Sequence, residues 1–138
     1  MHVPLITGFY AGILGLILAF LTGRVIVTRT RERVSLLDGG NPRLTVAIRQ
    51  QANFAELVPL ALILILIAEV LGSSIYLIHL LGIVLVLARL IHPFGIRIDK
   101  GDTPARVVGA SLTLVVIIVG SVWDIWLFVT RILLAAAS

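Results

Sequence analysis

Three polar residues stand at helical spacing where the sequence turns apolar: Arg49, Asn53 and Glu56, at i, i+4 and i+7. At about 100° per residue they share one stripe about 60° wide, with Gln50 on its flank. A guanidinium, an amide and a carboxylate on one stripe have two uses. They bind one another as a structural network between helices, or they bind a small zwitterion that carries both carboxylate and ammonium groups. A second pair, Arg89 and His92 at i and i+3, shares a face of another apolar stretch. Taken alone, Arg89 also reads as a side chain snorkelling to the headgroups, and His92 as a hydrogen-bonded interfacial residue.

Other site chemistries are missing. The chain has no cysteine, which excludes disulfides and thiolate metal sites. None of its three histidines is paired with another at i+3 or i+4, so no metal site is readable. There is no Gly-rich phosphate loop and no Ser-centred nucleophile elbow.

The elements that must position these residues are set by composition. Of 138 residues, 59% are hydrophobic and 13% charged. Soluble domains run near 45–50% apolar and about 25% charged, so this chain falls outside that class. A helix needs about 20 apolar residues to span the hydrocarbon core, and four such spans consume most of the chain. The fold class is therefore an all-α membrane protein, one four-helix transmembrane domain over residues 1–138, in contact with the lipid bilayer. The spans are expected at about 5–27, 44–71, 75–92 and 104–134. No Lys or Arg precedes the first span and no small-residue cleavage pattern follows it, so it reads as a retained helix. Gly8, Gly12 and Gly15 share one of its faces and allow close helix contact. The segment Asp38-Gly39-Gly40-Asn41-Pro42 is a turn signal before the second helix. That helix, about 28 residues and roughly 42 Å long, exceeds the hydrocarbon core, so its polar first turns lie at one membrane face. The third helix is expected to stop at Pro93. Pro104 suits the first position of the fourth, with Thr103 as its N-cap.

Orientation follows from the cations. Every Lys and Arg except Arg131 lies in or beside the first and third loops, between Arg24 and Arg49 or between Arg89 and Arg106. By the positive-inside rule both loops are cytoplasmic and both termini face away. The net charge of +4 thus reflects topology and does not point to nucleic acid. Glu69 and Asp124 fall towards the opposite face, where end-of-helix solvation accounts for both. Trp123, Trp126 and Tyr76 fit an aromatic belt there. His2 and His79 carry no assigned role.

The string Arg49-Gln50-Gln51-Ala52-Asn53-Phe54-Ala55-Glu56-Leu57-Val58-Pro59 resembles the Arg-x-x-x-Asn-x-x-Glu-x-x-Pro signature of the MAPEG superfamily, the membrane-associated proteins of eicosanoid and glutathione metabolism. Arg89-Leu90-Ile91-His92 resembles that family's Arg-x-x-His segment in the third helix. Both motifs fall on the matching helices, so the resemblance covers nearly the whole chain and looks closest to the bacterial branch. It implies a homotrimer in the inner membrane, with glutathione bound as cosubstrate between subunits near the cytoplasmic face. Carried over by position, Arg49, Gln51, Asn53 and Glu56 would bind glutathione, and Arg89 and His92 would line the same cleft. In that reading Arg49 takes a carboxylate, Glu56 the ammonium, and Asn53 serves either side.

The chain departs from the pattern at Ile96, where well-studied members carry a tyrosine. A thiol of pKa about 8.5 would then be held as thiolate by a cation. Arg106 is the nearest match to the catalytic arginine expected at the start of the fourth helix, in a shifted register, and Arg97 competes with it. The resemblance thus implies a glutathione transferase or peroxidase acting on lipophilic electrophiles. The alternative is a non-enzymatic trimer that binds a lipid or an anionic metabolite. A small multidrug exporter fits poorly: it would carry its key Glu in the first helix, whereas the acidic residues before Arg43 are Glu32 and Asp38, in the loop.

Overall fold

The computed structural model describes residues 3–96 and 103–136, with the side chain of Ala136 left aside. Four helices follow one another, α1 (Leu5–Arg31), α2 (Pro42–Val70), α3 (Ile75–Gly95) and α4 (Pro104–Ala136). All are long and apolar enough to cross a membrane. They run alternately up and down, so the α1–α2 loop lies at the same end as the α3 C-terminus and the α4 N-terminus. This end, which carries most of the arginines, is here the basic end. Among the described residues α1 packs on α2 and α3, and α4 packs on α3 and α2; no contact joins α1 to α4.

The helix ends show why each element stops where it does. α1 runs past the expected Val27 to Arg31 and closes with Glu32 as its C-cap. Arg33 then takes a left-handed φ of 56°. Its N–H donates to Thr30 O and that of Val34 to Arg29 O, the paired bonds of a Schellman stop made without glycine. α2 starts two residues before the expected Leu44, with Asn41 Oδ1 accepting from the Arg43 and Leu44 amides and Pro42 at N1. It ends at a second Schellman stop, where Gly72 supplies a φ of 79° and Gly72 and Ser73 donate to Glu69 O and Ala68 O. α3 does not stop at Pro93 but carries it in its last turn and ends at Gly95. The Arg106 amide donates to Thr103 Oγ1 at 3.3 Å, so Thr103 caps α4.

The core inverts the arrangement of a soluble bundle only on its outside. Leu14, Leu21, Phe54, Ile65, Ile78, Leu85 and Val116 interlock between the helices, nearly or fully buried. The outer faces remain apolar, with Leu16, Phe20, Leu114 and Phe128 mostly exposed, as contact with lipid requires. A Cβ added at Gly8, Gly12 or Gly15 would meet nothing within 4 Å, so that small-residue face is unused inside the protomer.

At the end remote from the arginines, two expectations are corrected. Glu69 is not solvated but 9% exposed. Its carboxylate accepts from the Ile6 amide at 2.9 Å, the Thr7 amide at 2.7 Å and the Thr7 hydroxyl. Pro4, at the N-cap of α1, makes no side-chain cap bond, so a residue from the far end of α2 satisfies these first-turn donors. Asp124 is not solvated either: both its carboxylate oxygens are buried, without a hydrogen-bond partner among the described residues. Trp123 Nε1 donates to Ser73 Oγ at 2.8 Å, tying α4 to the α2–α3 turn, and Arg131 donates to Leu71 O. His79, left without a role by its spacing, is joined by Nδ1 to the Tyr10 hydroxyl at 2.9 Å.

Candidate functional site

The polar stripe of α2 meets α3 and α4 at the basic end. There a cavity of about 200 Å³ is lined by Thr45, Val46, Arg49, Asn53, His92, Ile96 and Arg106. Two glycines make this junction possible. A Cβ at Gly95 would lie 2.1 Å from the Arg106 backbone nitrogen, and one at Gly109 would lie 2.6 Å from His92 Cβ. Only hydrogen fits at either place, so α3 and α4 approach closely enough to set Arg106 beside His92.

Arg89 organises the cavity from behind. It is 1% exposed. One guanidinium nitrogen donates to Asn53 Oδ1 at 2.9 Å; the other donates to Gly109 O at 3.1 Å and to the Thr113 hydroxyl. The hydroxyl in turn donates to Gly109 O at 2.9 Å. Arginine offers only donors, so the Asn53 amide must present its oxygen to Arg89 and its NH₂ elsewhere. With its oxygen engaged by Arg89, the Asn53 NH₂ is the group left for other partners. Arg49, Asn53, His92 and Arg106 together make a mouth of donors and cations, which is chemistry for an anion.

The remaining expected residues fall around this mouth. Glu56 is exposed on α2, on the same stripe but outside the cavity lining. Gln51 is half-buried and lines neither this cavity nor its larger neighbour. Arg89 reaches the larger cavity and touches the smaller one only through Asn53. Arg97 lies outside the described residues. Ile96 forms part of the wall between the two spaces.

Spacing arguments missed a second polar set. Arg24 donates to Gln50 Oε1 at 2.8 Å, and Gln50 Nε2 donates to Pro93 O at 2.6 Å, linking α1, α2 and α3. Gln50 is 5% exposed, so the flanking amide, not Gln51, is the buried one. The available signal was Arg24 itself, a cation still inside an apolar run and short of the basic loop. Thr45 was also missed. Its hydroxyl contacts Asp38 Oδ2 at 2.9 Å, and Asp38 Oδ1 accepts from the Gly40 amide at 3.0 Å. The Gly40 amide first and the Thr45 hydroxyl second hold the Asp38 carboxyl below its usual pKa.

Comparison with known proteins agrees with the motifs. The MAPEG family pattern matches residues 7–126. The chain is 35% identical over 91 residues to the protein named inner membrane protein YecN in Escherichia coli strain K12, covering 66% of this chain and 70% of that one. The YecN of Escherichia coli O6:H1 matches to the same extent. With the family pattern spanning most of four membrane-length helices, the chain belongs to the MAPEG family.

Proposed function

We propose that this protein is a membrane-bound, glutathione-dependent transferase or peroxidase acting on lipophilic electrophiles, and that it works as a homotrimer. The observation that carries the reading is the convergence of Arg49, Asn53, His92 and Arg106 on one cavity. Glutathione brings two carboxylates, an ammonium and a thiol. In this reading Arg49 and the Asn53 NH₂ receive a carboxylate, Glu56 receives the ammonium, and Arg106 supplies the field that holds the sulfur as thiolate. The thiolate then attacks an electrophile arriving from the bilayer, and the proton goes to solvent at the basic end.

The trimer is supported by what one protomer leaves unfinished. The cavity of about 200 Å³ is smaller than the roughly 300–1,000 Å³ of most small-molecule sites. Arg49 and Glu56 are exposed on α2, and neither has a hydrogen-bond or ion-pair partner among the described residues. Charges at membrane depth normally face protein or a wet cavity, so a second copy closing over them completes the site. The relatives' printed name and the positive-inside rule support placement in a bacterial inner membrane, with the basic loops and the site cytoplasmic and both termini opposite.

The test is a glutathione titration of the detergent-purified protein, following near-ultraviolet thiolate absorbance at neutral pH. Saturable binding with a thiolate signal, lost in Arg49→Ala, is expected. The absence of glutathione binding would overturn the reading. A specific observation favours a second reading, a non-enzymatic trimer that binds a lipid or an anionic metabolite: Ile96 stands where the family's tyrosine is expected. Binding without thiolate, and without turnover of an electrophile, would select it.

A further inference from the structure

A larger space lies beside the one just described. It is a cavity of about 690 Å³ between α1, α2 and α3, separated from the smaller one by Val46 and Ile96, which line both. Its volume lies within the range of small-molecule sites. Most of its wall is apolar, and several of these residues belong to the outer faces of the helices: Leu16 is 75% exposed and Phe94 81%. It therefore opens sideways, towards the acyl chains of the bilayer.

The polar end of this cavity carries one sign of charge. Arg24 and Arg89 both line it, and no Asp or Glu does. Arg24 is already oriented, since Gln50 accepts from it and is itself fixed on Pro93 O. Arg89 is a buried cation with no carboxylate partner among the described residues, and its Nε finds no hydrogen-bond acceptor. An adjoining groove shares Phe20 and Arg24 and continues to Arg31, again without an acidic residue. A cation-lined pocket at the end of a lipid-facing apolar trough is complementary to an amphiphile whose head is anionic.

We propose that the cavity between α1, α2 and α3 holds one acyl lipid with an anionic headgroup from the leaflet at the basic end. The head lies at Arg24 and above Arg89, and the chain runs along Leu16, Phe20, Leu90 and Phe94. The site is distinct from the proposed glutathione cleft and belongs to the protomer itself.

Native mass spectrometry of the detergent-purified full-length chain tests it, with dioleoyl phosphatidylglycerol and dioleoyl phosphatidylcholine as probes. The expected result is saturable retention of one phosphatidylglycerol per protomer, in preference to phosphatidylcholine. Arg24→Gln, which removes the charge, should lower phosphatidylglycerol retention about fivefold and leave phosphatidylcholine unchanged. Leu16→Trp, at a position 75% exposed in the protomer, should obstruct the chain path and lower retention of both lipids. Equal retention of the two lipids by the unaltered protein would overturn the proposal, as would a preference that survives Arg24→Gln. Displacement of the lipid by glycerol 1-phosphate alone would show a site for free phosphate and overturn it equally.

Discussion

Replacing Arg89 by methionine separates a strut from a residue kept for its chemistry. Arg89 makes three hydrogen bonds, to Asn53 Oδ1, Gly109 O and the Thr113 hydroxyl. Interhelical side-chain hydrogen bonds in membrane proteins average about 0.6 kcal/mol, so their loss costs about 2 kcal/mol. Part of this is recovered, because Gly109 O keeps the Thr113 donor. On the other side stands the burial of a guanidinium 1% exposed with no carboxylate beside it. An arginine at mid-span costs about 2.5–3.5 kcal/mol, and less towards a helix end, where Arg89 lies. Methionine fills much of the same volume without the charge. The two sides nearly cancel, and Arg89→Met should change the unfolding free energy by less than about 1 kcal/mol. Under the proposed function, glutathione affinity should by contrast fall about tenfold, or about 1.4 kcal/mol, because the bond that orients the Asn53 amide is lost. Unfolding by dodecyl sulfate in mixed micelles, followed by tryptophan fluorescence, measures the first quantity; titration measures the second. A loss of about 3 kcal/mol in stability with affinity unchanged would refute the reasoning and make Arg89 a structural strut.

Other outcomes follow from the same structure. Glu69→Gln removes the charge that caps α1 and sets an NH₂ against either the Ile6 or the Thr7 donors, which bond different carboxylate oxygens; a loss of about 2 kcal/mol is expected in the same unfolding assay. Gly95→Ala places a methyl group against the Arg106 backbone nitrogen, with an overpacking cost of about 1–3 kcal/mol. Under the proposed function, displacing Arg106 should also weaken glutathione binding, which the titration reads. The Asp38 carboxyl has its folded pKa below the ordinary 3.8, so its contribution is present above that value and is lost as the pH falls through the depressed one. Protection of the Gly40 amide from hydrogen exchange, taken relative to its intrinsic rate at each pH, should therefore be present at pH 5 and lost at strongly acid pH, and Asp38→Asn should abolish that dependence.

Much of this architecture is legible in the residues. Hydrophobic runs of membrane length mark the four helices, and Gly72 and Asn41-Pro42 mark two of the ends. The end of α1 is not marked, because its left-handed position is filled by Arg33 instead of glycine, and solvated arginines extend a helix as readily as they leave it. Pro93 misleads for a different reason: in a last turn it removes a single hydrogen bond, which a helix end tolerates. At the site, the stripe of Arg49 and Asn53 and the pair of Arg89 and His92 could be placed on helix faces by spacing. Their division of labour could not. That Arg89 reaches Asn53 and α4 depends on how α3 is rotated against its neighbours, and that rotation is set by the contacts at Gly95 and Gly109. Glu69 was illegible for the same reason, since its partners are amides, which every residue but proline carries.

The capping of α1 by Glu69 also bears on how the protein is made. A chain growing from its N-terminus completes the first turn of α1 long before Glu69, which follows Thr7 by 62 residues. Until then the Ile6 and Thr7 amides have neither a helical partner nor a carboxylate, and inside a bilayer such donors are costly. Water at the membrane surface has to satisfy them until the last turn of α2 comes alongside. The first span is thus a fully capped helix only as half of a hairpin with α2.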